Sequence, residues 1–253
     1  MKTSFLLPMM FIFSVGVLRT TLIFADNFIS IEEAVKKGIV KVNVRGKGGH
    51  IGEVIKLKIR NLKKHPVSFS VEAGRRLDSN DSTKQDILIT KAVTITLLAD
   101  EEKTYSISGM CCQAHHSSPD TSSIFSIGKL ADTNLVKMAR FIDQNKWYNN
   151  SIAQSAVWIL SDNNPMEDIG GEDAVSKKLQ AFISKLTGRT MPKYKIDYAQ
   201  SNNGVAYYNH PAKISGTFEY DIFTNGIVSF GIYDAEGHVV EMFFNDIPRD
   251  KGH

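Results

Sequence analysis

Tyr105-Ser106-Ile107-Ser108-Gly109-Met110-Cys111-Cys112 decides the reading of this chain, because its larger side chains alternate with small polar ones and the run ends on the only two cysteines present. A period of two is the signature of a strand with one buried face. Tyr105 and Ile107 are in phase with Gly109 and Cys111, so Cys111 shares their face and Cys112 points to the other. The same alternation appears upstream in Val40, Val42 and Val44, in Ile55, Leu57 and Ile59, in Val67, Phe69 and Val71, and in Val93, Ile95 and Leu97. Turn-forming segments at Asn61 to Pro66 and Asp100 to Lys103 separate these runs at the spacing of an antiparallel sandwich or barrel. Residues 38 to 112 therefore read as a β-domain.

Beyond the polar loop His115-His116-Ser117-Ser118-Pro119-Asp120 the period changes to that of a helix. Leu135, Met138, Ala139 and Ile142 form one stripe behind an Asp132 or Thr133 cap. Val175, Leu179, Phe182 and Leu186 form another, which Gly188 ends. Between them a shorter helix spans about Ser151 to Ser161, capped by Asn150 or Ser151 and stopped by Asp162 to Pro165. Residues 120 to 188 read as a helical subdomain. Residues 191 to 213 read as a linker, rich in Asn and Tyr. In residues 214 to 253, Phe218, Tyr220 and Ile222 lead to an Asn225-Gly226 hairpin signal, followed by Val228, Phe230 and Ile232, a turn at Asp234 to Gly237, and Val240, Met242 and Phe244. These predict a three-strand meander. The expected fold class is α+β: an antiparallel β-sandwich or barrel with a helical subdomain, then a small all-β module.

The amino terminus, Met1-Lys2-Thr3-Ser4 followed by an apolar run from Phe5 to Leu18, has the construction of a secretory signal peptide over residues 1 to 25. Cleavage after Ala25 or retention as an uncleaved anchor both remain open, and Arg19 shortens the apolar run below the length of a bilayer span. The expected location is secreted or cell-surface, with membrane contact only through export or anchoring. Removing residues 1 to 25 takes away Lys2 and Arg19 and no acid, which lowers the formal charge from +3 to +1. So small a net charge gives no overall grip on nucleic acid. Two adjacent cysteines cannot build a disulfide framework, so the thiols of an exported chain call for another explanation.

One is chemical. The short helix carries Ala153-Gln154-Ser155-Ala156-Val157-Trp158, which places Gln154 and Trp158 on one stripe at i and i+4. A thiol from a strand end and a carboxamide from an apolar helix are the two halves of an internal thioester. Their contact makes attack on an unactivated amide feasible, and an apolar site keeps water from the product. Cys111 is the expected thiol, Cys112 the alternative if a bulge shifts the register, and Trp158 the expected cover, with His115 nearby.

Met110-Cys111 together with Ala153 to Trp158 resembles the paired motif of bacterial thioester domains, a likeness that extends over residues 38 to 190 of a domain expected to span 26 to 190. That resemblance implies a covalent surface adhesin with Cys111 and Gln154 as the bonded pair. Its partner would be a surface protein or glycan bearing an amine or hydroxyl, with no nucleic acid, no cofactor, no metal and no turnover enzymology. Val228 to Val240 resembles the Ig-like module of flagellar hook-cap proteins and of the sorting tails of exported Bacteroidetes proteins. That implies a structural or sorting tail, of which residues 214 to 253 are a part.

Plainer readings stand beside these. Cys111 can be a small core residue in a non-covalent binding or structural module of the envelope, Gln154 a solvent-facing helix residue and Trp158 core packing. Cys111, Cys112, His115 and His116 are too close in sequence to surround one zinc ion tetrahedrally. A cysteine hydrolase would use Cys111 with His115 or His116 as base. Glu101-Glu102 and Glu167-Asp168 read as solvated loop charges, not as an acid and base pair. Gly170-Gly171 is followed by the acidic Glu172, which disfavours phosphate.

Overall fold

The computed structural model describes residues 28–192, 194–198, 211–217 and 220–252. The expected signal peptide, much of the expected linker and the residue Phe218 lie outside these residues. A two-residue strand β1 (Ile29–Ser30) leads into α1 (Ile31–Lys36), whose first turn is capped by the Ser30 hydroxyl accepting from Glu33 N at 3.0 Å. Strands β2 (Val40–Gly46), β3 (Ile51–Asn61), β4 (Val67–Val71), β5 (Arg75–Ser79), β6 (Asp86–Ile89), β7 (Val93–Leu97), β8 (Glu102–Cys112) and β9 (Ile124–Leu130) follow. Six of them close a barrel in the order β2-β3-β8-β6-β5-β9, so of the two architectures expected the barrel is the one formed. The other three form a separate sheet, in which β1 runs parallel to β4 and β7 antiparallel to it. β9 begins after residue 120, inside the stretch expected to be helical, so the β part extends to Leu130.

Three helices form where the apolar stripes predict them, the first two behind expected caps. Asp132 caps α2 (Thr133–Asn145), Asn150 caps α3 (Ser151–Ser161) and Asp173 caps α4 (Ala174–Thr187). Gly188 ends α4 with φ +74°, the left-handed conformation that costs glycine least. After α3 the chain passes through Asn163 at φ +58° and a 3-10 turn at Met166–Ile169 before α4 begins.

Two cores meet at β8. Ile107 and Cys111 lie in the barrel interior with Val44, Leu57, Ile87 and Phe125, and Trp158 belongs to the same cluster. Met110 and Cys112 belong to the other, under Met138, Ile142, Val157, Leu179 and Ile183 of the helices. The carboxyl end of β8 is therefore buried on both faces. Gly109 is small for this reason: a Cβ there would meet Ile87 Cγ2 at 2.4 Å. Between Gly52 and Ile55 the β3 register slips by one residue against β8, and Gly52 sits at φ +83°. The bulge is on β3, so the alternation of β8 itself runs unbroken to Cys111.

A buried cation ties the first helix to the barrel. Arg75, 2% exposed, forks onto Glu72 through Nη2 (2.6 Å) and Nε (3.2 Å), donates to the Gly128 carbonyl at 3.0 Å and also pairs with Glu32 of α1. The ladder position that would otherwise take an apolar side chain is filled by this charge-assisted network.

The carboxyl-terminal part differs from the expected meander. Tyr194–Tyr198 (β10) and Pro211–Gly216 (β11) pair antiparallel, so strands occupy both ends of the segment read as a linker. Gly226–Tyr233 (β12) pairs with Val239–Arg249 (β13), and Tyr220 to Asn225 form no strand. Asn225-Gly226 is not a hairpin turn, because neither residue has the positive φ that a type I′ turn requires; Asn225 Oδ1 instead accepts from Lys251 N at 2.9 Å. The turn at Asp234 to Gly237 forms as expected, with Gly237 at φ +88°. No helix among the described residues is long and apolar enough to cross a membrane.

Replacing Arg75 by Met should leave Glu32 and Glu72 facing a half-buried space without their cation. A loss on the order of 3 kcal/mol in urea unfolding, with α1 the first element to lose hydrogen-exchange protection, is the expected outcome.

Candidate functional site

The last paired residues of β3 and β8 are Ile51 and Met110. One residue further on, Cys111 N–H still reaches the His50 carbonyl at 3.1 Å, but its second partner comes from elsewhere in the chain. Gln154 of α3, 1% exposed, turns its carboxamide onto the Cys111 backbone. Its Oε1 accepts from Cys111 N at 3.0 Å, and its Nε2 donates to the Cys111 carbonyl at 2.7 Å. The carboxamide thus acts as a further peptide unit of the ladder, placed where β3 has ended. Gln154 is not a solvent-facing helix residue, and Cys111 and Gln154, 43 positions apart, are brought into direct contact.

The helix delivers this group because of its stripes. Ala153, Ala156, Val157 and Ile159 face the helical core, whereas Trp158, one turn after Gln154, joins the barrel core that holds Cys111. Trp158 Nε1 donates to Gln85 Oε1 at 3.2 Å, and Gln85, fully buried, donates through Nε2 to the His116 carbonyl at 3.0 Å. The indole lies against the His50 imidazole, ring centres 6.1 Å apart and planes 22° apart. His50 is half-buried, so one edge of the aromatic pair faces solvent.

Both thiols are buried and free. Burial pushes the Cys111 thiol up to about 12 and the Cys112 thiol well above its usual range, the latter reinforced by the nearby Asp86 carboxylate. At neutral pH both are protonated. Cys112 Sγ lies 3.4 Å from the Asp86 carbonyl, on the helical side of β8 and away from the face of Cys111. Just beyond the pair, Gln113 takes φ +97°, rare for a residue with a Cβ. It is pinned there by Asp162, which accepts from Gln113 N at 3.2 Å, and by Asp86, whose N–H donates to Gln113 Oε1 at 3.0 Å.

Of the other sequence candidates, His115 is exposed on the turn after Gln113, and His116 is half-buried with Nδ1 lacking a hydrogen-bond partner. The buried sulfurs are not displayed in an open cleft of the kind a cysteine hydrolase needs. Among the described residues, no group of three or more His, Cys, Asp or Glu could hold a metal ion. Glu101 bonds Leu98 N at 2.7 Å and Lys103 at 2.7 Å, and Glu102 pairs with Lys58 at 2.7 Å, which makes them turn and surface charges. Sequence reasoning missed His50 and Gln85. Gly48-Gly49, both at positive φ, marked a tight turn before His50, but nothing local tied that turn to Cys111.

Replacing Gln154 by Leu keeps the apolar contacts of the helix and leaves the buried Cys111 carbonyl without its donor. Denaturant unfolding should show a loss of about 1–3 kcal/mol, larger than for replacing the half-buried Ser155 by Ala on the same helix. No family model, no curated protein and no solved structure matches this chain.

Proposed function

We propose that Cys111 and Gln154 close an internal thioester, and that the protein uses it once per molecule to couple covalently to an amine or hydroxyl on a surface protein or glycan. One observation carries the reading: a buried carboxamide is held by two hydrogen bonds on the backbone of the residue that owns the thiol. In the closing step the Cys111 sulfur bonds to Gln154 Cδ, the Cδ–Nε2 bond breaks, and Nε2 leaves as ammonia with the thiol proton. Cys111 N–H, 3.0 Å from Oε1, is within the range of a donor that stabilises the oxyanion of such an addition. The Cys111 carbonyl, 2.7 Å from Nε2, holds the leaving nitrogen.

The raised thiol makes thiolate scarce, so closure is a slow event that follows folding and relies on proximity. The same burial protects the product, because water is excluded and a thiolate of high pKa is a poor leaving group. A partner's amine approaches over the His50 and Trp158 rings, attacks the acyl carbon and frees the Cys111 thiol. This use is that of the exported thioester adhesins whose motif the chain resembles, and it accords with a secreted or cell-surface location. The paired strands β12 and β13 are then a structural or sorting tail of Ig-like type.

A second reading has an observation of its own. The carboxamide completes the β8 ladder so well that Gln154 can be purely architectural, in a non-covalent binding module with both thiols reduced. The intact mass separates the two. A thioester lowers the mass by one ammonia, and methylamine opens it to N-methylglutamine, one methylene above the calculated value. Cys111→Ala and Gln154→Ala abolish the deficit and Cys112→Ala keeps it; a full calculated mass in fresh, unheated protein overturns the proposal.

Alkaline stability gives an independent check. A free Cys111 thiol has a folded pKa of about 12 against an ordinary 9.0, so the folded state holds its proton longer. Its contribution is fully present below about 9 and is lost as the pH rises toward 12. The architectural reading expects wild type to lose more stability over that window than Cys111→Ala does. With the thioester closed, the sulfur does not titrate and that difference vanishes.

A further inference from the structure

We propose that the outer face of β2 and β3 is a binding site for a linear acidic polysaccharide. Strand register sets this face. Lys41 pairs with Arg60, Asn43 with Lys58 and Arg45 with Lys56, all exposed, so five cations and one amide make a two-row ladder on adjacent strands. The rows are about 5 Å apart, and side chains on one row recur about every 7 Å. Like charges directly opposite each other on a sheet are destabilising, so the arrangement works against the stability of the free protein. Glu102 is the carboxylate that β8 adds beside these rows, and it is taken by Lys58 at 2.7 Å. Among the described residues, Lys41, Arg45, Lys56 and Arg60 have no carboxylate within salt-bridge distance. On the β8 side the face continues through Thr104 and Ser106, which can donate hydroxyl hydrogen bonds. At the Lys41 and Arg60 end of the face lies a shallow cavity of about 420 Å³, lined by Lys41, Val42, Asn43, Lys58, Arg60 and the Glu102 that Lys58 neutralises.

The chemistry of the occupant follows from what the face contains and lacks. Cations at regular spacing along roughly 13 Å suit a chain that carries sulfate or carboxylate groups at each repeat. No aromatic side chain stands among these positions on which bases could stack, which disfavours single-stranded nucleic acid. The two rows hold no apolar side chain, and the exposed Ile124 opposite Arg45 on β9 gives too small an apolar surface to enter a lipid bilayer, which disfavours a membrane. The whole chain carries a formal charge of only +3, so the positive potential belongs to this face and not to the molecule at large. The site is separate from Cys111 and Gln154 and stands whether or not the thioester forms.

Titration of the full chain with heparin, as a sulfated linear polysaccharide, tests this. Saturable binding that weakens with added salt is expected. Lys56→Glu with Arg60→Ser should weaken it by about tenfold or more, whereas the charge-matched Lys137→Glu with Lys185→Ser should leave it within about twofold. Lys56→Glu faces Arg45 with an opposite charge, so the thermal midpoint of that variant should not fall. Lys41→Ser with Arg45→Ser gives a second loss of binding on the other row. The proposal is overturned by absence of heparin binding, by equal losses in the control variant, or by single-stranded DNA or phosphatidylserine vesicles binding as tightly as heparin.

Discussion

The contact between the Gln154 carboxamide and the Cys111 backbone is the constraint on which the rest of this structure turns. A buried backbone carbonyl without a donor costs more than an ordinary hydrogen bond contributes, so the place where β3 leaves β8 has to be closed by something. Gln154 closes it from a helix more than forty residues away. That single side chain joins the barrel to the helical unit at the point where β8 has a core on each face.

Other features follow from the same requirement. Burial on both faces forces Gly109 to be small, and the Gly52 bulge lets β3 diverge without disturbing β8. Gln85 carries the polar accounting further inward, bonding Trp158 at one end and the His116 carbonyl at the other. Gln154 and Gln85 each use their amide at both ends, which is how a polar network inside a core remains tolerable. Chemically, the same geometry presents an amide carbon to the residue that carries a thiol, with a backbone donor on the oxygen and an acceptor on the nitrogen. Architecture and chemistry ask for one arrangement, so the mass of the chain, and not its shape, tells them apart.

How much of this was legible varies with the kind of signal. β2, β3, β4, β7 and β8 were visible because their side chains alternate. β5 was not, since Arg75 is buried by ion pairs while its residue type reads as surface. β6 and β9 were missed too: the first has four residues, and the second is interrupted by Gly128. Asn225-Gly226 carried a strong local hairpin signal that the chain does not use. The strands at 194–198 and 211–216 lie in composition typical of loops, and their pairing is not a local property.

The sequence by itself determined which face each residue of β8 and α3 would present. Side-chain direction follows from backbone periodicity, so Cys111 and Cys112 had to part, and Gln154 and Trp158 had to align. Only the tertiary structure decided that the Cys111 face and the Gln154 stripe meet, that Cys112 belongs to a different core, and that the cations of β2 stand opposite those of β3. Docking and register depend on contacts between residues far apart in the chain, and no local period encodes them.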